Sequence, residues 1–217
     1  AFCASLSEHI DELRRAAEAT TRHGRLLRVE PRPVGRQAIV NFCFSTGDAH
    51  GMNMIVKATD QACRWIVDNT AAERYQIFSG YNSEKRASGV LLAGGKGNKV
   101  TAGALVPRRV LRAYLHVDAE QMAEMWRHTL SGHLQAGALG YNGHYANGLA
   151  ALFIACGQDV ANVANSAVGI TTFEPAADGD LYASVTLPSL TVATVGGGTA
   201  QGTARECLAV MDCLGPG

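Results

Sequence analysis

The stretch AIVNFCFSTGDAHGMNMI, residues 38–55, decides the fold. Ala38 to Phe44 is rich in β-branched and aromatic residues, which suit a pleated, half-buried strand. Thr46-Gly47-Asp48 then breaks the run, and a helix pattern starts at about Gly51 and reaches Asp68. Met52, Ile55, Val56, Ala62, Cys63, Ile66 and Val67 give that helix one apolar face. Working outward, Leu26 to Val29 reads as a strand ended by Pro31 and Pro33, with a turn at Gly35. Before it, Ile10, Leu13, Ala16 and Ala17 recur at helical spacing, from an N-cap at Ser7 to about Thr20. Tyr75 to Phe78 reads as a third short strand. The order helix, strand, strand, helix, strand predicts a small α+β sandwich of the split-βαβ kind.

Beyond Ser79 the chain changes character. Residues 79–98 are polar and glycine-rich, with one apolar strand predicted at Val90 to Ala93. A strand is expected over Val100 to Val106, then helix from Arg108 to about Ala136 with a break near His116-Val117-Asp118. Gly143 to Cys156 reads as a further helix. Strands are expected at Ile170 to Glu174, Leu181 to Leu187 and Leu190 to Val195, and a closing helix at Thr199 to Leu214. The expected division is a small domain over 1–78 and part of a larger α+β domain over 79–217.

Composition narrows the function classes. The 217 residues suffice for one large domain or two small ones. Nineteen basic against nineteen acidic residues leave no net charge, which argues against a nucleic-acid partner. No apolar run is long enough for a membrane span, and no signal peptide is legible. The first residue is Ala1 and not Met, so the chain reads as processed, trimmed or part of something longer. Six cysteines without paired spacing read as free, mostly buried thiols in a reducing, cytoplasmic setting, and no His or Cys spacing suggests a metal site.

Four segments can carry chemistry. In Thr46 to Met54, glycines at a helix start can admit a dinucleotide phosphate to free N–H groups; an ordinary strand-to-helix turn is the competing reading. Gly196, Gly197 and Gly198, after an apolar run, allow flat contact with a ring or pyrophosphate, or else a plain linker. Lys85, among Ser83, Glu84 and Arg86, is either a solvated surface residue or a cation able to stabilise a developing oxyanion. Asn147 and Asp159 fall at the two ends of one helix and also suit caps and turns. His144 reads as a hydrogen-bonded interior histidine.

Together these segments resemble one family, the 3-hydroxy-3-methylglutaryl-CoA reductases. TGDAHGMNMI is similar to that family's D-A-M-G-M-N-M cofactor motif, GYNGHYAN to its G-Y/F-N-A-H-A-A-N motif, and IACGQD to its A-x-G-Q-D motif. LYASVTLPSLTVATVGGGT resembles its M-P-S-I-E-x-G-T-x-G-G-G-T stretch. The order and spacing agree from about Ser7 to Leu214, and the animal and fungal type is the nearer one.

The resemblance implies an NADPH-dependent reductase of an acyl-CoA thioester, taking 3-hydroxy-3-methylglutaryl-CoA to mevalonate and free CoA. It implies a small NADP-binding domain of ferredoxin-like fold in which Thr21, Arg22 and Asn53 hold the 2′-phosphate. Asp48, His50, Gly51, Met52, Gly196, Gly197 and Gly198 would line the rest of the cofactor site. It assigns Lys85 as the catalytic lysine, Asp159 as the catalytic aspartate and Asn147 as the asparagine that holds the lysine. Ser79, Glu84, Arg86 and His128 fall at substrate-binding positions; His128 stands where the family has a lysine, and His50 where its cofactor motif has Met. The family's catalytic glutamate would lie upstream of residue 1 and its catalytic histidine beyond Gly217. A homodimer or higher homo-oligomer is implied, or a second chain that supplies those elements. The alternative is a diverged, non-reducing relative that binds an acyl-CoA or a nucleotide.

Overall fold

A computed structural model of the chain describes residues 2–77, 79, 81 and 87–216. It is an α+β protein, and its contacts divide it into two units. The first comprises Ala1–Asn82, Ala193–Gly196 and Gly215–Gly217; the second comprises Ser83–Val192 and Gly197–Leu214.

In the first unit, helices α1 (Phe2–Glu8) and α2 (Ile10–Glu18) precede an antiparallel pair, β1 (Arg25–Val34) and β2 (Gln37–Ser45), and then α3 (Met52–Asn69). Leu13 and Ala17 of α2 and Ala58, Ala62 and Ile66 of α3 recur at helical spacing and are buried together. Val29, Val40, Phe42 and Phe44 close this core from the strands. Burial of these apolar faces is the main force holding the helices on the ribbon.

Three expectations fail here. Ser7 is not an N-cap: it lies inside α1, and His9 stands at the N-cap of α2. Strand β1 does not end at Val29 but runs through Pro31 and Pro33, which pair with Val40 and Ala38. In a two-stranded ribbon each strand has one unpaired edge, and prolines tolerate that edge because no ladder bond needs their missing N–H. The third strand expected at Tyr75 to Phe78 is also not seen: residues 75–77 are irregular, and Phe78 lies outside the described residues. Tyr75 instead donates its hydroxyl proton to Asp60 Oδ1 at 2.7 Å.

The second unit is built on a three-stranded antiparallel sheet. Its strands are β3 (Asn98–Val106), β4 (Ile170–Pro175) and β5 (Leu181–Leu190), with β5 in the middle. A short turn of helix, α4 (Arg108–Val110), leads into a π turn over Leu111–Leu115. Helix α5 (Ala119–Ala136) follows, opened by an Asp118–Gln121 capping box. The expected break near His116 is real: His116 takes a left-handed φ of 56°. Leu111, Ala119 and Leu181 form a buried cluster with Val106, Met122 and Phe173 against it, and Trp126 of α5 donates its indole N–H to the Thr171 carbonyl. Helices α6 (Tyr145–Ala155), α7 (Val163–Ser166) and α8 (Gly202–Val210) complete the unit.

The strand expected at Val90 to Ala93 is a 3-10 turn, Gly89–Ala93, that buries Leu91. A short apolar run does not separate strand from turn by periodicity. The strand expected over Leu190 to Val195 is absent, because sheet pairing stops at Leu190. All six cysteines are free, but only Cys156 is buried, so the expectation of mostly buried thiols does not hold.

Candidate functional site

Three segments converge in the first unit. Gly51 opens α3 with a left-handed φ of 63°, and no side chain caps the helix. The first N–H groups of α3 therefore lack side-chain acceptors at the positive end of an 18-residue helix, an arrangement that suits an anion. Thr46 closes the preceding loop by donating its hydroxyl proton to the Ala49 carbonyl at 2.6 Å. A Cβ on Gly51 would lie 2.8 Å from Thr46 Cγ2 and 2.9 Å from Met54 Cε, so glycine is required for contact as well as for φ.

The turn from α2 into β1 meets the same methionine. Thr21 Oγ1 accepts the N–H groups of His23 at 3.2 Å and Gly24 at 3.0 Å, which fixes that turn. The space a Gly24 Cβ would take is bounded by Met54 Cε at 3.1 Å. Thr21 and Arg22 are thus held beside the start of α3, with Arg22 exposed. The third segment is Ala193–Gly196: the Thr194 N–H donates to the Asp48 carbonyl at 3.2 Å. Gly196 has φ of 87° and an open space where a Cβ would project. The structure therefore brings together Thr21, Arg22, Asp48, His50, Gly51, Met52, Asn53 and Gly196. Asp48 and Asn53 are exposed, and His50 is half-buried. Met54 and Gly24 were not singled out from the sequence as site residues, because they lie far apart along the chain and their approach is tertiary.

The second unit holds the other candidates. Gly157 (φ 64°) ends α6, and the Gln158 N–H reaches back to the Phe153 carbonyl at 2.8 Å. A Cβ on Gly157 would lie 2.4 Å from the Gly198 carbonyl oxygen, and one on Gly198 would lie 2.7 Å from that of Gly157. Gly198 is thereby held against Gly157, which precedes Asp159 by two residues. The Asp159 carboxylate accepts the Ala161 N–H at 3.1 Å and caps the turn Val160–Asn162. Asn147 lies in the first turn of α6, with Nδ2 2.9 Å from His144 Nδ1. Asn147 and Asp159 thus stand at opposite ends of a helix about 16 Å long.

His144 is not interior: it is exposed at the N-cap of α6, where its ring accepts from Asn147. The polar anchor there is Asn142. Its amide donates to the carbonyls of Ala167 and Gly169 and accepts the Tyr145 N–H, stitching the segment to the entry of β4. His128 stands on the exposed side of α5, 4.0 Å from Glu124 one turn away. Ser79 is exposed, and its Oγ accepts the Tyr81 N–H at 3.2 Å. Glu84, Lys85 and Arg86 lie outside the described residues. Among the described residues no group of His, Cys, Asp and Glu gathers as a metal site, and no helix is long and apolar enough to cross a membrane.

An uncapped helix start beside glycine-lined backbone, on an α+β frame, is able to accept an anion. The comparison with known families is specific: the model of the hydroxymethylglutaryl-coenzyme A reductase family matches residues 1–217, and the chain belongs to that family, whose members are oxidoreductases. The 3-hydroxy-3-methylglutaryl-coenzyme A reductase of Methanothermobacter thermautotrophicus is 39% identical over 212 residues, covering 97% of this chain and 53% of the relative. That of Haloferax volcanii is 43% identical over 206 residues, covering 94% and 51%. That of Xenopus laevis is 35% identical over 214 residues, covering 96% and 24%. The chain spans about half the length of the archaeal relatives it matches.

Proposed function

We propose that the chain forms the cofactor-binding and central catalytic portion of an NADPH-dependent reductase of 3-hydroxy-3-methylglutaryl-CoA, yielding mevalonate and CoA. The observation that carries this reading is the convergence of the turn at Thr21, the bare start of α3 and the run at Gly196 in one unit.

The residues present fit a phosphorylated dinucleotide. Gly51, lacking a side chain, leaves the α3 N–H groups accessible to a phosphate. Arg22, exposed beside them, supplies a planar cation suited to the 2′-phosphate that distinguishes NADPH from NADH, with Thr21 and Asn53 as neutral partners. Gly196 and Gly197 leave flat backbone with no Cβ contact. When bound, NADPH supplies a hydride to the thioester carbonyl carbon.

The protein's task is to stabilise charge. Reduction of the thioester to a hemithioacetal places negative charge on the carbonyl oxygen, and the Lys85 ammonium offsets it. The Asp159 carboxylate keeps that ammonium protonated and aimed. Asn147, at the other end of α6 from Asp159, contributes a neutral hydrogen-bonding group, and His128 on α5 would contact the acyl portion. Collapse of the hemithioacetal releases CoA thiol and an aldehyde, and a second reduction gives the alcohol, so two NADPH are consumed per mevalonate. A homodimer or higher homo-oligomer belongs to this reading, with the family's catalytic glutamate and histidine supplied from outside residues 1–217 or by a second chain.

The test is NADPH oxidation, followed at its absorbance band, by the full-length protein with 3-hydroxy-3-methylglutaryl-CoA. Turnover with two NADPH consumed per CoA released is expected. Tight NADPH or acyl-CoA binding without any oxidation would instead establish a non-reducing relative and overturn the proposal.

A further inference from the structure

The second unit contains a buried polar cluster that the reading of the reaction leaves unused. Asn165, Ser166, Ser189 and Thr191 are at most 2% exposed. Asn165 Nδ2 donates to Thr191 Oγ1 at 2.9 Å. The Thr191 hydroxyl lies 3.3 Å from the Lys96 carbonyl, to which it donates, and its N–H donates to Ser166 Oγ at 3.0 Å. Ser189 Oγ accepts the Gly95 N–H at 2.8 Å and donates to the Leu91 carbonyl at 3.1 Å. Close packing reinforces the cluster: Gly97 lies so near the Leu190 carbonyl that a Cβ there would clash.

These bonds tie together three lengths of chain. One is Leu91–Lys96, the end of the 3-10 turn and the residues after it, which in sequence follows Lys85 by six residues. Another is the end of β5. The third is α7, which continues without a break from the turn that Asp159 caps. An apolar filling would bury as much surface but would leave the direction of each segment open. Fully satisfied hydrogen bonds in a dry interior fix direction as well as distance.

We infer that this cluster, centred on Thr191, is the positioning device that sets the backbone carrying Asp159 against the segment that follows Lys85. The inference rests on the assignment of Lys85 and Asp159 above. Thr191, Asn165 and Ser189 are positioning residues: they act through the backbone they hold. A shift of about 1 Å between the two arms is enough to cost about a hundredfold in rate, while the phosphate-binding elements of the first unit stay as they are.

The experiment compares Thr191→Val with Thr191→Ser in the full-length protein. Valine keeps the shape and deletes the hydroxyl; serine keeps the hydroxyl and deletes the methyl. Thr191→Val is expected to lower kcat about tenfold or more, with KM for the acyl-CoA and Kd for NADPH within about twofold, and Thr191→Ser to stay within about threefold of the parent kcat. A Thr191→Val protein that melts earlier but turns over at the parent rate overturns the inference, as does a serine variant that loses as much as the valine one. Should the valine variant not fold, Ser189→Ala answers the same question, with the same kcat loss expected and an unchanged kcat fatal. Lys85→Met and Asp159→Asn are measured alongside. Parent turnover in those two defeats the underlying assignment, a result distinct from loss in those two with none at Thr191.

Discussion

The backbone N–H of Thr194 donates to the carbonyl oxygen of Asp48 across 3.2 Å, and this bond seats the run that enters the triple glycine beside the loop that opens α3. The partners are backbone atoms, so either side chain can change without breaking the bond. What cannot change freely is the glycine geometry on each side of it.

Gly51→Ala tests that geometry. The left-handed φ costs an L-residue about 1–2 kcal/mol, and the new methyl would press on Thr46 and Met54. We expect a stability loss of about 2 kcal/mol or more, read as a lower denaturant midpoint, with NADPH affinity falling in the same variant. Unaltered stability would mean that the loop relaxes and that glycine is not required there.

Arg22→Ala separates the cofactors. Arg22 is exposed, so its loss should leave the melting temperature nearly unchanged. A charge-assisted contact to phosphate is worth about 1.5–3 kcal/mol, so NADPH affinity should fall about tenfold to a hundredfold while NADH affinity stays the same. Equal losses for both cofactors, measured by calorimetric titration, would refute the 2′-phosphate assignment.

Lys85→Ala and Asp159→Asn address the chemistry. Each should reduce hydride transfer about a hundredfold or more in single-turnover measurements, with NADPH binding retained. Asp159 also caps the turn Val160–Asn162 through its Oδ1, and Asn keeps that acceptor, so the Asn variant should fold.

Cys63 gives a pH-dependent handle. Partial burial on α3 pushes its thiol up to about 11 from 9.0. It should resist a thiolate-directed alkylating reagent at pH 8, where exposed Cys213 reacts. The thiol stays protonated in the folded state while the unfolded chain loses that proton near pH 9. The contribution to stability is therefore whole below pH 9 and lost as pH rises toward 11. Urea midpoints at pH 8 and pH 10 should show a steeper fall for the parent than for Cys63→Ala.

Much of the first unit was legible because the signals were local. The strand over 38–44 and the helix from 52 announce themselves through residue type and a 3.6-residue apolar repeat. Pro31 and Pro33 misled because their effect depends on whether a neighbouring strand needs their N–H, which no local pattern states. Val90–Ala93 and Leu190–Val195 misled because short apolar runs serve strand and buried turn alike. The cluster around Thr191 was out of reach for a different reason. Its members come from positions 91–96, 165–166 and 189–191, and each alone is an ordinary small polar residue. The candidate site was legible as residues and not as an arrangement: the meeting of Gly24, Gly51 and Met54 shows only in three dimensions.

The approach of Gly157 to Gly198 carries a consequence for how this chain can diverge. Each backbone fills the volume that the other's side chain would occupy, so a first replacement at either position meets a carbonyl that cannot step aside. No second replacement makes room for the first, because adding bulk opposite only narrows the gap. The pair is thus a joint constraint: neither position can carry a side chain unless the backbone of the other moves.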